Sequence, residues 1–171
     1  LHELGVNIST GQINNIIIKN KDRFHDEKDQ ILSTGLDVSN YINVDDTGAR
    51  HDGQNGYCTH IGNEYFAWFK STHSKSRVNF LNLLRGENID FVLNDQALEY
   101  MAQQKLPRSQ LSTLSCHKNK IFKNETRWIN FLKRQKLKLE HHKLIVTEGA
   151  LIGSITYHGL NPELAIISDD A

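Results

Sequence analysis

The 171-residue chain is short of cysteine, of net charge and of long apolar runs, and each shortage narrows what it can be. Cys58 and Cys116 are its two cysteines, far apart and outside any Cys-x-x-Cys pair, which excludes a disulfide framework and suits a reducing compartment. Twenty Lys and Arg balance twenty Asp and Glu, so bulk charge gives no general pull toward nucleic acid, and any basic surface must come from local clustering. No stretch approaches the roughly eighteen apolar residues of a spanning helix, and the N-terminus lacks the basic start and apolar core of a secretory signal. A cytoplasmic protein with no membrane partner is expected. Low-complexity segments and internal repeats are also lacking. With 38% hydrophobic and 23% charged residues, the length suits one main domain with a small appendage.

What is present is a pair of apolar runs that each end in a double acid, Tyr41-Ile42-Asn43-Val44-Asp45-Asp46 and Leu164-Ala165-Ile166-Ile167-Ser168-Asp169-Asp170. A short β-branched run reads as a buried strand, and an acid where it emerges is held rigidly at the sheet's edge. Two such carboxylates can share divalent metal ions. The chain opens on Leu1 rather than Met and stops straight after the second acid pair, so an interrupted chain is expected.

The first segment reads as helical. Ser9-Thr10-Gly11-Gln12 fits a capping box, and Ile13, Ile16, Ile17 and Phe24 fall near one face at helical spacing. This resembles the second half of a helix-turn-helix, whose recognition helix would offer Thr10, Gln12, Asn14 and Asn15 to DNA; an ordinary packing helix fits the same residues. A further helix is expected from Asp22 to Leu32, continuing to Gly35. Strands are expected over 41–45, 56–61 and 65–71, separated by Gly/Asn/Asp-rich segments at 46–55 and 62–64, as an antiparallel meander. Then follow a helix over 74–84 with Val78, Leu81 and Leu84 inward, a short strand at 89–94, and a helix over 95–105 that stops at Pro107. A helix over 124–139 has Trp128, Ile129 and Leu132 on one side, another spans 144–158, and Leu164 to Ser168 closes as a strand just after Pro162.

Nine of the chain's twenty cations lie between His117 and Lys143: Lys118, Lys120, Lys123, Arg127, Lys133, Arg134, Lys136, Lys138 and Lys143. Such density can neutralise several phosphates, with Phe122, Trp128 and Phe131 interleaved to pack or to stack on bases. A solvated helix face with core aromatics is the competing reading.

Segments 41–50, 55–63, 66–71 and 74–81, with the closing Ile167-Ser168-Asp169-Asp170-Ala171, resemble the catalytic domain of bacterial insertion-sequence transposases with an RNase H-like core. The resemblance covers most of the chain, strongly from Tyr41 to Leu84 and at the C-terminal stretch. It implies an α/β fold: residues 1–38 a helix-turn-helix remnant and linker, and 39–171 a partial RNase H-like domain with a largely helical basic insertion at about 89–143. These transposases use a DDE triad. The matching positions here are Asp45, the leading acid of Asp45-Asp46-Thr47, and Asp169, while the family's Glu falls beyond the last residue. Mg²⁺ or Mn²⁺ as cofactor, transposon-end and target DNA as partners, a homo-oligomer in the full-length protein and a bacterial, nucleoid-associated location are implied with it.

Two divalent ions roughly 4 Å apart serve phosphodiester hydrolysis and strand transfer by activating the nucleophile and stabilising the leaving oxygen, and carboxylates suit Mg²⁺ as a hard cation. Asp46 and Asp170 are expected to cap turns or support the metal ligands. Asp95, ending Ile89-Asp90-Phe91-Val92-Leu93-Asn94-Asp95, is a rival second acid, otherwise the N-cap of the helix that follows it. Arg50, Lys75 and Arg77 are candidate backbone contacts, as are Arg127, Lys133 and Arg134. His51, Cys58 and His60 lack the paired spacing of a zinc site. His141 and His142 read as surface residues, and Glu148 as structural. Alternatives to a transposase part are a catalytically inactive DNA- or transposase-binding product and an RNase H-like nuclease using Asp45, Asp95 and a further acid.

Overall fold

A computed structural model describes residues 5, 8–19, 21–51, 53–135, 137, 139–161 and 163–169. The chain is mixed α/β. Helix α1 (Thr10–Ile18) starts at the expected capping box: the Ser9 N–H donates to Gln12 Oε1 at 2.8 Å and the Gln12 N–H to Ser9 Oγ at 3.2 Å. Its expected apolar stripe does not pack, since α1 buries no residue and Ile16, Ile17 and Phe24 are exposed. Helix α2 (Lys21–Val38) runs three residues past the expected end and buries Leu32, Gly35 and Leu36. Gly35 is required there, because a Cβ would stand 2.6 Å from the Phe66 ring.

Strands β1 (Tyr41–His51), β2 (Gln54–Gly62) and β3 (Ala67–Thr72) form the antiparallel meander, and β6 (Ala165–Ser168) joins the far side of β1 in parallel, giving the order β3-β2-β1-β6. The segment expected as a loop at 46–55 is instead the continuation of β1 and β2, paired as far as His51 with Gln54. Gly53, at φ +76°, supplies a positive dihedral of the kind that a tight hairpin connection matching strand twist needs. Its polar strand ends carry no hydrophobic alternation, which is why they read as loop.

One face of this sheet is covered. Ile42, Thr59, Ile61 and Trp68 are buried on it, with Val44 half-buried, whereas Asn43, Asp45, Thr47, Phe69 and Ile167 are exposed on the other. Trp68 donates to Asp29 of α2. Helices α3 (Arg77–Leu84) and α7 (Glu140–Tyr157) complete the cover with Leu81, Leu84 and Ile155.

The segment between α3 and α7 is largely helical, with α4 (Asp95–Gln103), α5 (Arg108–Ser115) and α6 (Glu125–Arg134) around a small antiparallel pair, β4 (Phe91–Val92) and β5 (Ile121–Phe122). The sequence reading lacked α5 and β5. The N-cap of α4 is Asn94 rather than Asp95: Asn94 Oδ1 accepts the Ala97 N–H at 3.0 Å while its amide donates to Gly153 O at 3.1 Å and Thr156 Oγ1 at 3.0 Å on α7. In α6 the inward residues are Trp128 and Phe131, with Ile129 exposed, because the cluster they join fixes the rotation. Phe91 stacks on Trp128 at 5.0 Å, and Phe122 lies 4.4 Å from Phe131. These aromatics are core, so base stacking by them is excluded in this conformation. The helix ends at Arg134, short of the expected 139. Among the described residues no helix is long and apolar enough to cross a membrane.

Candidate active site

Parallel pairing brings the two acid runs together. β1 and β6 are in register from Tyr41 with Ala165 to Val44 with Ser168; Asp45 follows on β1, and Asp169 is the first residue past the end of β6. Adjacent strands lie about 4.8 Å apart, which sets the spacing of the two backbones at this point. Both residues are exposed and both line one cleft of about 790 Å³ between the sheet and helices α3 and α7. Its apolar floor includes Val44, Leu81, Leu84, Ile152, Ile155 and Ile166, and its polar rim includes Asp45, Asp46, Lys75, Arg77, Ser168 and Asp169.

Strand alternation gives the double acid Asp45-Asp46 two different environments. Asp45 lies on the open face, where Thr47 Oγ1 donates to its Oδ2 at 3.4 Å. Asp46 lies on the covered face, half-buried, and its Oδ1 accepts from the Thr59 hydroxyl at 2.5 Å; Thr59 is itself only 1% exposed. Sequence reasoning assigned Asp46 a supporting part without a partner, and Thr59 is that partner. Asp170 lies outside the described residues.

The two cations of the rim come from the start of α3. Ser76 caps it, accepting the Asn79 N–H at 3.3 Å, and Arg77 is its first residue. Arg77 Nη1 donates to Tyr100 Oη at 3.0 Å, and Tyr100 Oη donates to Glu148 Oε2 at 2.5 Å. Glu148, 7% exposed, is buried on α7. The Tyr100 bond raises the Arg77 guanidinium above its ordinary value, while burial and then the Glu148 bond raise the Tyr100 phenol. Tyr100 was missed in the sequence because a tyrosine amid a helical pattern carries no spacing signal for a partner on another helix.

The other candidates do not gather here. Asp95 is an exposed first-turn residue of α4 and does not line the cleft. Gln12, Asn14 and Asn15 are exposed on α1, with the Gln12 side chain engaged by Ser9, and Arg127, Lys133 and Arg134 are exposed on α6. Arg50 is exposed near the β1–β2 turn. None of these lines the cleft. Among the described residues no group of three or more His, Cys, Asp and Glu side chains could hold a metal ion. One or two carboxylates can hold Mg²⁺ where substrate phosphate and water complete its shell, so the donor chemistry of Asp45 and Asp169 is compatible with a hard divalent cation.

Set against known proteins, the chain is similar to an uncharacterized protein, y4jO, of Sinorhizobium fredii, with 37% identity over 143 residues, which is 82% of this chain. The chain spans 44% of that relative's length. No family model matches, and no solved structure matches.

Proposed function

We propose that this chain is part of a DNA transposase of the DDE type, with a partial RNase H-like core in which Asp45 and Asp169 are metal ligands for phosphodiester cleavage and strand transfer. One observation supports the reading: β6 enters the sheet parallel to β1, paired as far as Val44 with Ser168, and Asp45 and Asp169, the residues that follow, line one cleft that also holds Lys75 and Arg77. The sheet order β3-β2-β1-β6, an antiparallel meander extended by a parallel strand after a largely helical segment, supports the proposed core.

Bound Mg²⁺ or Mn²⁺ would supply nucleophile activation and leaving-group stabilisation at these carboxylates. The residues of the chain do the rest. Asp45 and Asp169 fix where charge-neutralising ligands stand, and the strands that carry them prevent their separation. Lys75 and Arg77 attract a phosphodiester to the same cleft. The apolar floor excludes water from below the reacting group. DNA outside the cleft is left to α1 and to the exposed cations of α6. The bacterial, nucleoid-associated location and the oligomeric transposase follow from the same proposal.

Strand transfer by the longer protein containing this sequence tests it, using a labelled DNA end with Mg²⁺. Asp45→Asn and Asp169→Asn are expected to abolish product, while Asp95→Asn leaves it unchanged. Activity that survives Asp169→Asn overturns the assignment. The exposed Arg127, Lys133 and Arg134 also favour a second reading, a DNA-binding product without catalysis, for which salt-sensitive binding would persist in every acid variant.

A further inference from the structure

We infer that Glu148 and Tyr100 are positioning residues that hold Arg77 as a phosphate grip at the cleft, a reading that rests on the proposed DNA phosphodiester substrate. Tyrosine has a single hydroxyl proton, and the short Tyr100–Glu148 contact assigns it to the carboxylate; the phenol oxygen is then left to accept from Arg77. The chain of hydrogen bonds therefore runs one way, from the rim to a buried acid. A buried carboxylate ordinarily takes a cation directly, because unpaired burial of charge is costly. Here a phenol stands between the two. The acid's attraction still reaches Arg77, but the guanidinium is oriented without being capped, and most of its five N–H donors stay available.

The location of Arg77 points the same way. As first residue of α3 it sits at the positive end of a helix, where a cation is disfavoured, and Lys75 adds charge two residues earlier. Positive charge is thus concentrated on one rim against local electrostatic preference, with Glu148 offsetting part of the cost from beneath. Such a rim suits a phosphodiester oxygen, for which a planar guanidinium is a bidentate partner. The same cleft is lined by the carboxylates Asp45, Asp46 and Asp169, so Lys75 and Arg77 are its cationic donors.

The test is binding of a fluorescent DNA duplex by this chain in EDTA, measured by anisotropy over a salt series, with thermal melts of every variant. Arg77→Gln is expected to lower the salt slope by about 0.9, the value of one phosphate contact. Arg77→Lys, Tyr100→Phe and Glu148→Gln keep the charge at residue 77, so each is expected to retain the slope while weakening binding roughly three- to tenfold, as for a lost hydrogen bond. Wild-type affinity in Arg77→Lys, or in a folded Tyr100→Phe that only melts earlier, overturns the inference. Because EDTA removes any metal, these results do not depend on metal held by Asp45 and Asp169. Loss of strand transfer in the acid variants with unchanged binding in the Arg77 series would refute the grip and leave the proposed chemistry standing, and the reverse pattern would do the opposite.

Discussion

Replacing Gly153 by alanine should reverse the usual helix rule. In a helix interior alanine is favoured over glycine by about 1 kcal/mol. At Gly153, however, a Cβ would stand 2.1 Å from the Val92 carbonyl oxygen and 2.9 Å from Asn94 Oδ1. The first is backbone of β4, tied to β5 by the Val92–Ile121 pair, and the second belongs to the side chain that caps α4. Neither is the free end of a flexible side chain, so relief requires α7 to move off β4. Overpacking of this kind costs roughly 1–3 kcal/mol and sometimes more; with a near-backbone clash the upper end applies, leaving a net loss of about 2 kcal/mol after the propensity gain. At roughly 2–4 °C per kcal/mol for a chain of this size, the melting temperature should fall by about 4–8 °C. Gly11→Ala is the control, since its nearest atom would be Ser9 Oγ at an ordinary 3.9 Å, and it should leave melting unchanged or raise it slightly. Circular dichroism melts of both variants decide the matter. A Gly153→Ala protein that melts at or above the wild-type temperature would refute the argument that α7 is seated by close backbone approach.

Other perturbations follow from particular contacts. Asp90 lies against Ser154 Oγ at 2.6 Å and His158 Nε2 at 3.0 Å; burial pushes its carboxyl up, but the Ser154 and His158 bonds and the His158 charge outweigh this and hold it below the usual carboxylate value. The folded chain therefore keeps Asp90 ionised to lower pH than the unfolded chain does, and its contribution, present above the ordinary carboxylate value, is lost as pH falls through the folded value. Asp90→Asn should flatten that acid limb in urea titrations, and an unaltered limb would contradict the assignment. Asp46→Ala leaves the buried Thr59 hydroxyl without its acceptor and should cost about 1–3 kcal/mol, whereas exposed Asp45→Ala should stay within about 0.5 kcal/mol; equal losses by urea denaturation would argue against the different environments. Trp128→Ala, removing the centre of the aromatic cluster, should cost about 3–5 kcal/mol in the same assay.

Much of the framework was legible because the local signals were strong. Ser9 and Gln12 announced α1, the β-branched runs announced the sheet, and the repeated double acid pointed to Asp45 and Asp169, which line the same cleft. What was not legible depended on contacts distant in sequence. The rotation of α6 is set by its packing on Phe122, just before it, and on Phe91, far upstream in sequence, so Ile129 was wrongly turned inward. Asn94 displaced Asp95 as cap because its amide also reaches Gly153 and Thr156 on α7, some sixty residues later. Periodicity missed α5, whose one buried residue is Leu114. The Arg77–Tyr100–Glu148 chain joins three helices and has no counterpart in any local pattern.

The uneven lengths of the strands give β1 two mechanical regimes. β6 flanks it as far as Val44, and β3 flanks β2 as far as Tyr57, so among the described residues the stretch from Ala49 to His51 pairs with Gln54 to Gly56 alone. A two-stranded ribbon of this kind is only marginally stable by itself, and it behaves as a cantilever clamped at the sheet. Arg50 rides on it five residues past Asp45, about 17 Å along the strand at the usual rise. Amide exchange should accordingly be slow over 42–46 and fast over 49–51. The clamped end can hold a carboxylate still while the free end leaves the Arg50 guanidinium room to move, so tip substitutions can alter the ribbon without disturbing the acids.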